Sequence, residues 1–198
     1  MKKILFVIAM QKEAIEITKE LGLEKVSDNL YKKDNISLII AGIGKELTAI
    51  NLVKYLENCD NKPDIIINMG YTGSTSSKIG EWVNVSNSYN YEWNIPGEQR
   101  YEIEGYNKDI IEKIEDDKIK NIPCYSAESF VTSTDIKEDV VFDMELHSIY
   151  LICNIYNIKL ISLKKVSDNL NLEDYYKNIN IKEVMELTSG LKLIEGLI

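Results

Sequence analysis

Arginine and histidine are almost absent from this sequence. Arg100 is the only arginine and His147 the only histidine among 198 residues. The chain therefore has too few of these residues for an arginine cluster or a histidine-rich metal site, and only one histidine for a serine–histidine pair. We expect no metal and no cofactor. The three cysteines, Cys59, Cys124 and Cys153, are odd in number and widely spaced, which predicts reduced thiols in a cytoplasmic protein and no disulfide framework.

Long hydrophobic runs and excess positive charge are also missing. The longest apolar run, residues 4–10, is far shorter than the roughly 20 residues of a membrane helix. The 23 basic and 32 acidic side chains give a formal charge of −9. An acidic chain is a poor candidate for binding a phosphate backbone or an anionic lipid surface. We therefore expect neither a nucleic-acid nor a membrane partner.

Alternating strand and helix patterns indicate one α/β domain spanning residues 1–198. The patterns predict strands at 3–9, 29–33, 36–41, 64–69, 81–87, 121–125 and 158–166. They predict helices at 11–21, 46–57, 108–116, 145–156 and 181–197, and a long loop at 88–107.

Two residue patterns look like functional motifs but lack a residue or a geometry that the motif requires. Gly42-Ile43-Gly44 follows a predicted strand like a dinucleotide fingerprint, but Leu47 occupies the place of the third glycine. His147 and Cys153 are six residues apart on one predicted helix, so they face different directions. We interpret them as an ordinary helix histidine and a packed thiol.

Three acidic residues follow predicted strands, where an open α/β sheet binds its ligands. Glu13 comes after the first strand, Glu145 comes after residues 140–144, and Asp168 follows the strand at 158–166. Three carboxyl groups at one crevice, with few cations to pair them, indicate acid–base chemistry. Each also has a simpler interpretation: Glu13 and Glu145 as helix-capping or dipole partners, and Asp168 as a turn or N-cap residue.

Several segments resemble, in the same order, the nucleoside phosphorylase/hydrolase superfamily, and most closely its 5′-methylthioadenosine/S-adenosylhomocysteine nucleosidases. They are Ile-Ala-Met-Gln-Lys-Glu-Ala at 8–14, Ala-Gly-Ile-Gly-Lys at 41–45, the strand and glycine turn at 63–70, the strand at 79–86, Ser-Phe-Val at 129–131, Asp-Met-Glu at 143–145 and Val-Ser-Asp at 166–168. The resemblance implies a three-layer α/β sandwich around a mixed β-sheet, and a homodimer.

The resemblance also implies a role for each site residue in cleaving the N-ribosidic bond of an adenine nucleoside, with water as the nucleophile. Asp168 would be the general acid toward the purine, and Glu13 would activate the water. Glu145 would bind the ribose hydroxyls. The other substrate-binding residues would be Met10, Ile43, Gly73, Phe130, Val131, Met144 and Ser167, with Phe130 stacking on the base, the Val131 backbone reading its edge and Ser167 orienting the acid.

Alternatives remain open at this point. A phosphorylase needs a phosphate clamp, for which arginine is best suited, and the single Arg100 lies in the irregular loop. Lysine could substitute, so a phosphorolytic enzyme, or a nucleosidase for another nucleoside, is the second interpretation. Tyr71 stands where the family carries a small residue, and the loops are short, so a nucleoside-binding protein with little catalysis is the third. Lys164 replaces the arginine that precedes the family's Ser-Asp signature.

Overall fold

The computed structural model describes residues 2–181 and 185–198. Its strands are β1 (Ile4–Ile8), β2 (Glu24–Ser27), β3 (Leu30–Lys33), β4 (Ile36–Ile40), β5 (Ile65–Ser74), β6 (Trp82–Asn90), β7 (Lys120–Ser126), β8 (Val141–Asp143) and β9 (Lys159–Asp168). Its α-helices are α1 (Gln11–Glu20), α2 (Lys45–Asn58), α3 (Leu146–Tyr156) and α4 (Leu172–Asn178), and short 3₁₀ segments cover Lys108–Ile110 and Thr188–Ile194.

The described strands form one mixed sheet, ordered β2-β3-β4-β1-β5-β8-β7-β6-β9. β5 is its centre, because it pairs in parallel with β1 and β9 and antiparallel with β8. β9 also pairs antiparallel with β6, so β5, β8, β7, β6 and β9 close into a ring. The remaining strands extend the sheet beyond β1 as an open edge.

Apolar side chains on both faces of the sheet produce the three layers. In β1, Leu5 and Val7 pack into a cluster with α2 and α3, whereas Ile4, Phe6 and Ile8 pack into a second cluster with α1 and the C-terminal 3₁₀ segment. A strand buried on both faces reads as a continuous apolar run, which is why β1 is recognisable in the sequence. The predicted three-layer α/β fold with a mixed sheet is confirmed.

Some predicted elements differ from the structure. The strand predicted at 64–69 continues to Ser74, and β2 and α4 were not predicted. The helix predicted at 108–116 is wrong, because Ile111 bridges to Leu160 and the Glu112 amide donates to the Leu160 carbonyl, which draws the chain into the sheet. Of the helix predicted at 181–197, residues 182–184 lie outside the described part, and Thr188–Ile194 is 3₁₀. Among the described residues, no helix has the length and apolarity needed to cross a bilayer.

Candidate active site

Two of the three acids meet because β1, β5 and β9 run parallel and end at the same edge of the sheet. Glu13 lies in the first turn of α1, directly after β1. Asp168 is the last residue of β9 and is in register with Gly73 of β5. This is the edge at which an open α/β sheet binds its ligands.

Glu145 reaches the same place by a different route. β8 is antiparallel to β5 and pairs with its last residues, Phe142 opposite Gly73. The chain leaving β8 therefore runs back along β5 toward Tyr71, and Glu145 follows as the N-cap residue of α3. The sequence predicted that all three acids follow strands ending at the same edge. Only Glu13 and Asp168 follow parallel strands in this way.

One cavity of about 280 Å³ brings the predicted residues together. Glu13, Glu145 and Asp168 all line it, and they are only 3%, 9% and 1% exposed. Val131 lines an adjoining cavity of about 50 Å³ that shares Phe130 and Asp168 with the larger one. The other predicted residues that line the larger cavity are Met10, Ile43, Gly73, Phe130, Met144 and Ser167.

The Glu13 carboxylate is fixed by two backbone amides. Its Oε2 accepts a 2.9 Å hydrogen bond from the Met10 N–H, and its Oε1 accepts one of 3.3 Å from the Tyr71 N–H. The helix-capping interpretation of Glu13 is therefore correct in part, but the second bond ties the same group to β5 at the cavity wall. Burial raises its pKa above the ordinary value, although Met10, Lys164 and Tyr71 oppose this.

Both oxygens of Asp168 have hydrogen-bond donors. Oδ2 accepts 2.8 Å from the Ser167 hydroxyl, and Oδ1 accepts 3.0 Å from the Leu170 N–H, so the turn interpretation also holds. Burial raises the pKa of Asp168 in spite of these bonds. Gly73 permits the close approach of β5, because a Cβ there would lie 2.9 Å from Asp168 Oδ1. The result is a buried carboxyl group that holds its proton to higher pH than a free one.

Glu145 holds the N-cap position of α3, but its side chain makes no capping hydrogen bond. Asp143 and Ser126 cap the helix instead, by accepting from the Leu146 and His147 amides, and the Glu145 side chain lines the cavity. Burial raises the pKa of Glu145 to about 7, repulsion from Asp143 adds to the rise, and Lys164 and a backbone amide oppose it.

A buried ion pair lies behind these acids. The Lys164 Nζ contacts Asp143 Oδ2 at 2.7 Å, and both side chains are almost wholly buried. Burial alone would raise the pKa of Asp143, but Lys164 and the hydrogen bonds hold it below the ordinary value. The Lys164 ammonium is thereby engaged with Asp143 and does not line the cavity.

One wall of the cavity is formed by a helix that was not predicted from the sequence. Leu172, Tyr175 and Tyr176 of α4 line it, and Tyr175 lies edge-on to Phe130 at 5.5 Å between ring centroids. Their spacing of three and four residues, after the Asn171 cap, was the signal for a helix with an apolar face. Tyr71 also lines the cavity without filling it, and its hydroxyl donates to the Met185 carbonyl at 2.6 Å.

The cavity wall is acidic and has no cation among the described residues. Its charged residues are Glu13, Asp143, Glu145 and Asp168. Arg100 is instead exposed and paired with Asp135. Within 2–181 and 185–198, no group of three or more histidine, cysteine or acidic side chains could hold a metal ion.

His147 and Cys153, interpreted from the sequence as a helix histidine and a packed thiol, are both buried in the structure. His147 is 2% exposed, its Nδ1 lies 3.3 Å from the Ser88 hydroxyl, and burial lowers its pKa to about 4. Cys153 is fully buried, and burial raises its pKa. Neither lines the cavity that holds the three acids.

Comparison with known proteins supports the same family. Residues 4–189 match the model of the phosphorylase superfamily. A curated 5′-methylthioadenosine/S-adenosylhomocysteine nucleosidase from Buchnera aphidicola subsp. Acyrthosiphon pisum (strain Tuc7) is 29% identical over 197 residues, which covers 87% of this chain and 83% of the relative.

Solved structures share the fold. The Helicobacter pylori MTAN variant with 5′-methylthioadenosine in its active site gives a TM-score of 0.82 at 16% identity and covers 100% of both chains. The Neisseria meningitidis 5′-methylthioadenosine/S-adenosylhomocysteine nucleosidase in complex with methylthio-immucillin-A also gives 0.82, at 17% identity, and again both chains are covered completely. The matched segments, the fold and the site together show that this chain belongs to the phosphorylase superfamily and resembles, among its members, the 5′-methylthioadenosine/S-adenosylhomocysteine nucleosidases.

Proposed function

We propose that this protein hydrolyses the N-ribosidic bond of adenine nucleosides of the 5′-methylthioadenosine and S-adenosylhomocysteine type. The observation that carries the proposal is the single cavity shared by Glu13, Glu145 and Asp168. Cleavage of this bond needs an acid for the leaving base, a base for the nucleophile and stabilisation of a ribose that resembles an oxocarbenium ion. The nucleosidases to which the chain is similar support this choice of substrate.

Asp168 protonates the purine at N7. Its raised pKa favours the protonated form that an acid must start from, and Ser167 orients the group through its 2.8 Å hydrogen bond. Phe130 stacks on the base, and the Val131 backbone reads the purine edge in the adjoining cavity. The residues that contact the base, Asp168, Phe130 and Val131, thus lie together at one end of the site.

Glu13 activates water at the anomeric carbon. The Met10 and Tyr71 amides hold its carboxylate in one orientation, which a positioned general base requires. Glu145 accepts hydrogen bonds from the ribose hydroxyls, and Met144 packs on the sugar. Met10, Ile43 and Gly73 complete the pocket wall. Glu13 and Glu145, the two carboxyl groups assigned to the sugar end, favour a transition state with positive charge on the ribose.

Charge supports water over phosphate as the nucleophile. A phosphate dianion would enter a cavity with four acidic side chains and no lysine, arginine or histidine in its described wall. No cationic side chain of this wall would clamp the phosphate, which favours water over the phosphorolytic alternative. The third alternative, a binding protein with little catalysis, rested on the short loops and on Tyr71 standing where the family carries a small residue. The hydrogen bond to Met185 holds that tyrosine at the wall, which favours an open site.

The test is the release of free base. Purified protein should release adenine from 5′-methylthioadenosine and S-adenosylhomocysteine, as measured by chromatography, with inosine as the comparison substrate. No adenine from either compound, together with thermal stabilisation by them, would favour the binding protein. Release of base from inosine alone would favour another nucleoside as substrate.

We also propose a homodimer in a reducing cytoplasm. Ile43, just before α2, and Leu47 and Ile50 within it are exposed by 52%, 52% and 63%, and Ile43 lines the cavity as well. An apolar stripe of this kind favours cover by a second copy. The free state of all three cysteines supports the compartment. Sedimentation analysis of the protein and of a Leu47→Asp variant tests the dimer, because the variant should be monomeric.

A further inference from the structure

One buried lysine outside the cavity joins three parts of the chain. Lys45 begins α2, and its side chain is 9% exposed. Its Nζ lies 2.8 Å from Asn90 Oδ1, 2.8 Å from Glu92 Oε2, 2.8 Å from Glu128 Oε1 and 3.4 Å from the Ser126 carbonyl. An ammonium group has three donors, so the three short contacts saturate it.

The two glutamates are also linked directly. The Glu128 N–H donates to Glu92 Oε1 at 2.9 Å, while Lys45 holds the opposite oxygen of Glu92. Glu92 lies near the start of the long loop after β6, and Glu128 lies near the start of the segment after β7. Lys45 is therefore the buried charge at which these two loops meet, beside the Glu128–Glu92 hydrogen bond and the exposed Arg100–Asp135 pair that also join them.

Phe130 follows Glu128 by two residues. Residues 127–140 have no helix or strand, so few backbone contacts order this segment. Without the ammonium, the Glu92 and Glu128 carboxylates would repel one another, and their half-exposed side chains would move apart into water. The displacement would carry Phe130 and Val131 with it.

The same turn also holds Glu145. The Gly44 N–H, one residue before Lys45, donates to Glu145 Oε1 at 2.8 Å. The backbone of this turn therefore supports the sugar end of the cavity, and its lysine supports the base end.

We propose that Lys45 is a positioning residue for the base-binding segment. It acts through Glu92 and Glu128 to hold Phe130 and Val131 at the cavity, without touching the substrate. The proposal rests on the proposed function for the identity of the base, but the ordering of residues 126–131 can be measured without any substrate.

The experiment compares Lys45→Met, Lys45→Arg and a matched control, Lys25→Met. Lys25 is exposed and pairs with Asp28 in the β2–β3 hairpin, outside the cavity. The control therefore removes the same charge from an ion pair that does not contact the site. KM and kcat for adenine release are measured for each, together with hydrogen exchange of the peptide covering 126–131. Methionine keeps the apolar stem of Lys45, and the two freed carboxylates can reach water, so the variant should fold.

Lys45→Met should raise KM by about tenfold and lower kcat by less than about threefold, because binding of the base is lost equally in the ground and transition states. Exchange at 126–131 should rise, Lys45→Arg should recover most of both effects, and Lys25→Met should match the unchanged protein. Unchanged exchange in Lys45→Met, or faster exchange with unchanged KM, would overturn the proposal.

The two proposals fail in different ways. If the unchanged protein releases no adenine, the proposed function fails, and the dissociation constant for adenine replaces KM in the comparison. If adenine does not bind either, the exchange of 126–131 alone decides whether Lys45 orders the segment.

Discussion

The Gly44 amide donates a 2.8 Å hydrogen bond to Glu145 Oε1, across 101 positions of the chain. Gly44 has a φ of 90°, which glycine adopts readily and other residues rarely do. The Gly-Ile-Gly turn, which fails as a dinucleotide fingerprint, therefore has a different use. It points a backbone donor at the carboxylate that we assign to the ribose.

Replacing Glu145 by glutamine should change how stability depends on pH. The pKa of Glu145 is raised from 4.5 to about 7 by burial and by Asp143, so its ionisation destabilises the folded state as the pH rises through this window. Glutamine cannot ionise and still accepts from Gly44. The stability of Glu145→Gln relative to the unchanged protein should therefore increase between pH 4.5 and 7, by up to about 3 kcal/mol, and then level off.

Thermal unfolding at several pH values checks this prediction, with Glu46→Gln on the exposed face of α2 as the control. A difference that is constant with pH, or that shrinks as the pH rises, would mean that Glu145 is not a carboxyl group with a raised pKa.

Asp168→Asn should abolish most of the turnover and spare binding. Asparagine keeps an oxygen for the Leu170 amide but cannot deliver a proton, so kcat should fall by roughly 10²–10⁴-fold. Adenine binding should change little. Steady-state kinetics and calorimetry measure the two quantities, with the exposed Asp28→Asn as the control. Full turnover in Asp168→Asn would remove this residue from the mechanism.

The pH profile of kcat/KM should be bell-shaped. Glu13 must be ionised to act as a base, so activity falls as the pH drops through its raised pKa, above the ordinary value of 4.5. Asp168 must be protonated to act as an acid, so activity falls as the pH rises through its own raised pKa. The residual activity of Glu13→Gln should lack the acid limb, and that of Asp168→Asn the alkaline limb. An acid limb that persists in Glu13→Gln would have to come from another group.

Lys164→Met should strongly destabilise the fold. It would leave Asp143 buried without its partner at 2.7 Å, and breaking a buried pair in this way costs about 3–5 kcal/mol. Adding Asp143→Asn should recover part of the loss. The exposed pair of Lys25 and Asp28 provides the control, because such pairs contribute about 0–1 kcal/mol. Urea unfolding measures all of these, and a change below about 1 kcal/mol in Lys164→Met would contradict the account.

Patterns local in sequence were predictable, and contacts distant in sequence were not. The apolar run of β1 and the periodicity of α1 identify both elements, and the resemblance identifies Glu13, Glu145 and Asp168. The ring closure between β5 and β9 depends on pairing between residues some ninety positions apart. No local sequence pattern predicts that pairing.

The same limit applies to the site. Asp143 could be seen beside Met144, but its buried pairing with Lys164 depends on β8 and β9 both pairing with β5. The α4 wall was missed because its seven residues are too short for a strong periodic signal. Lys45 was seen only as part of a glycine turn, since its partners come from two distant loops.

Hydrolysis is tested most directly by the product formed at the ribose C1′ when 5′-methylthioadenosine is cleaved with and without phosphate. We expect free adenine and a free sugar with no sugar 1-phosphate, at a rate that phosphate does not change. A sugar 1-phosphate, or cleavage that requires phosphate, would show that phosphate attacks in spite of the four acidic side chains, and would contradict hydrolysis at this site.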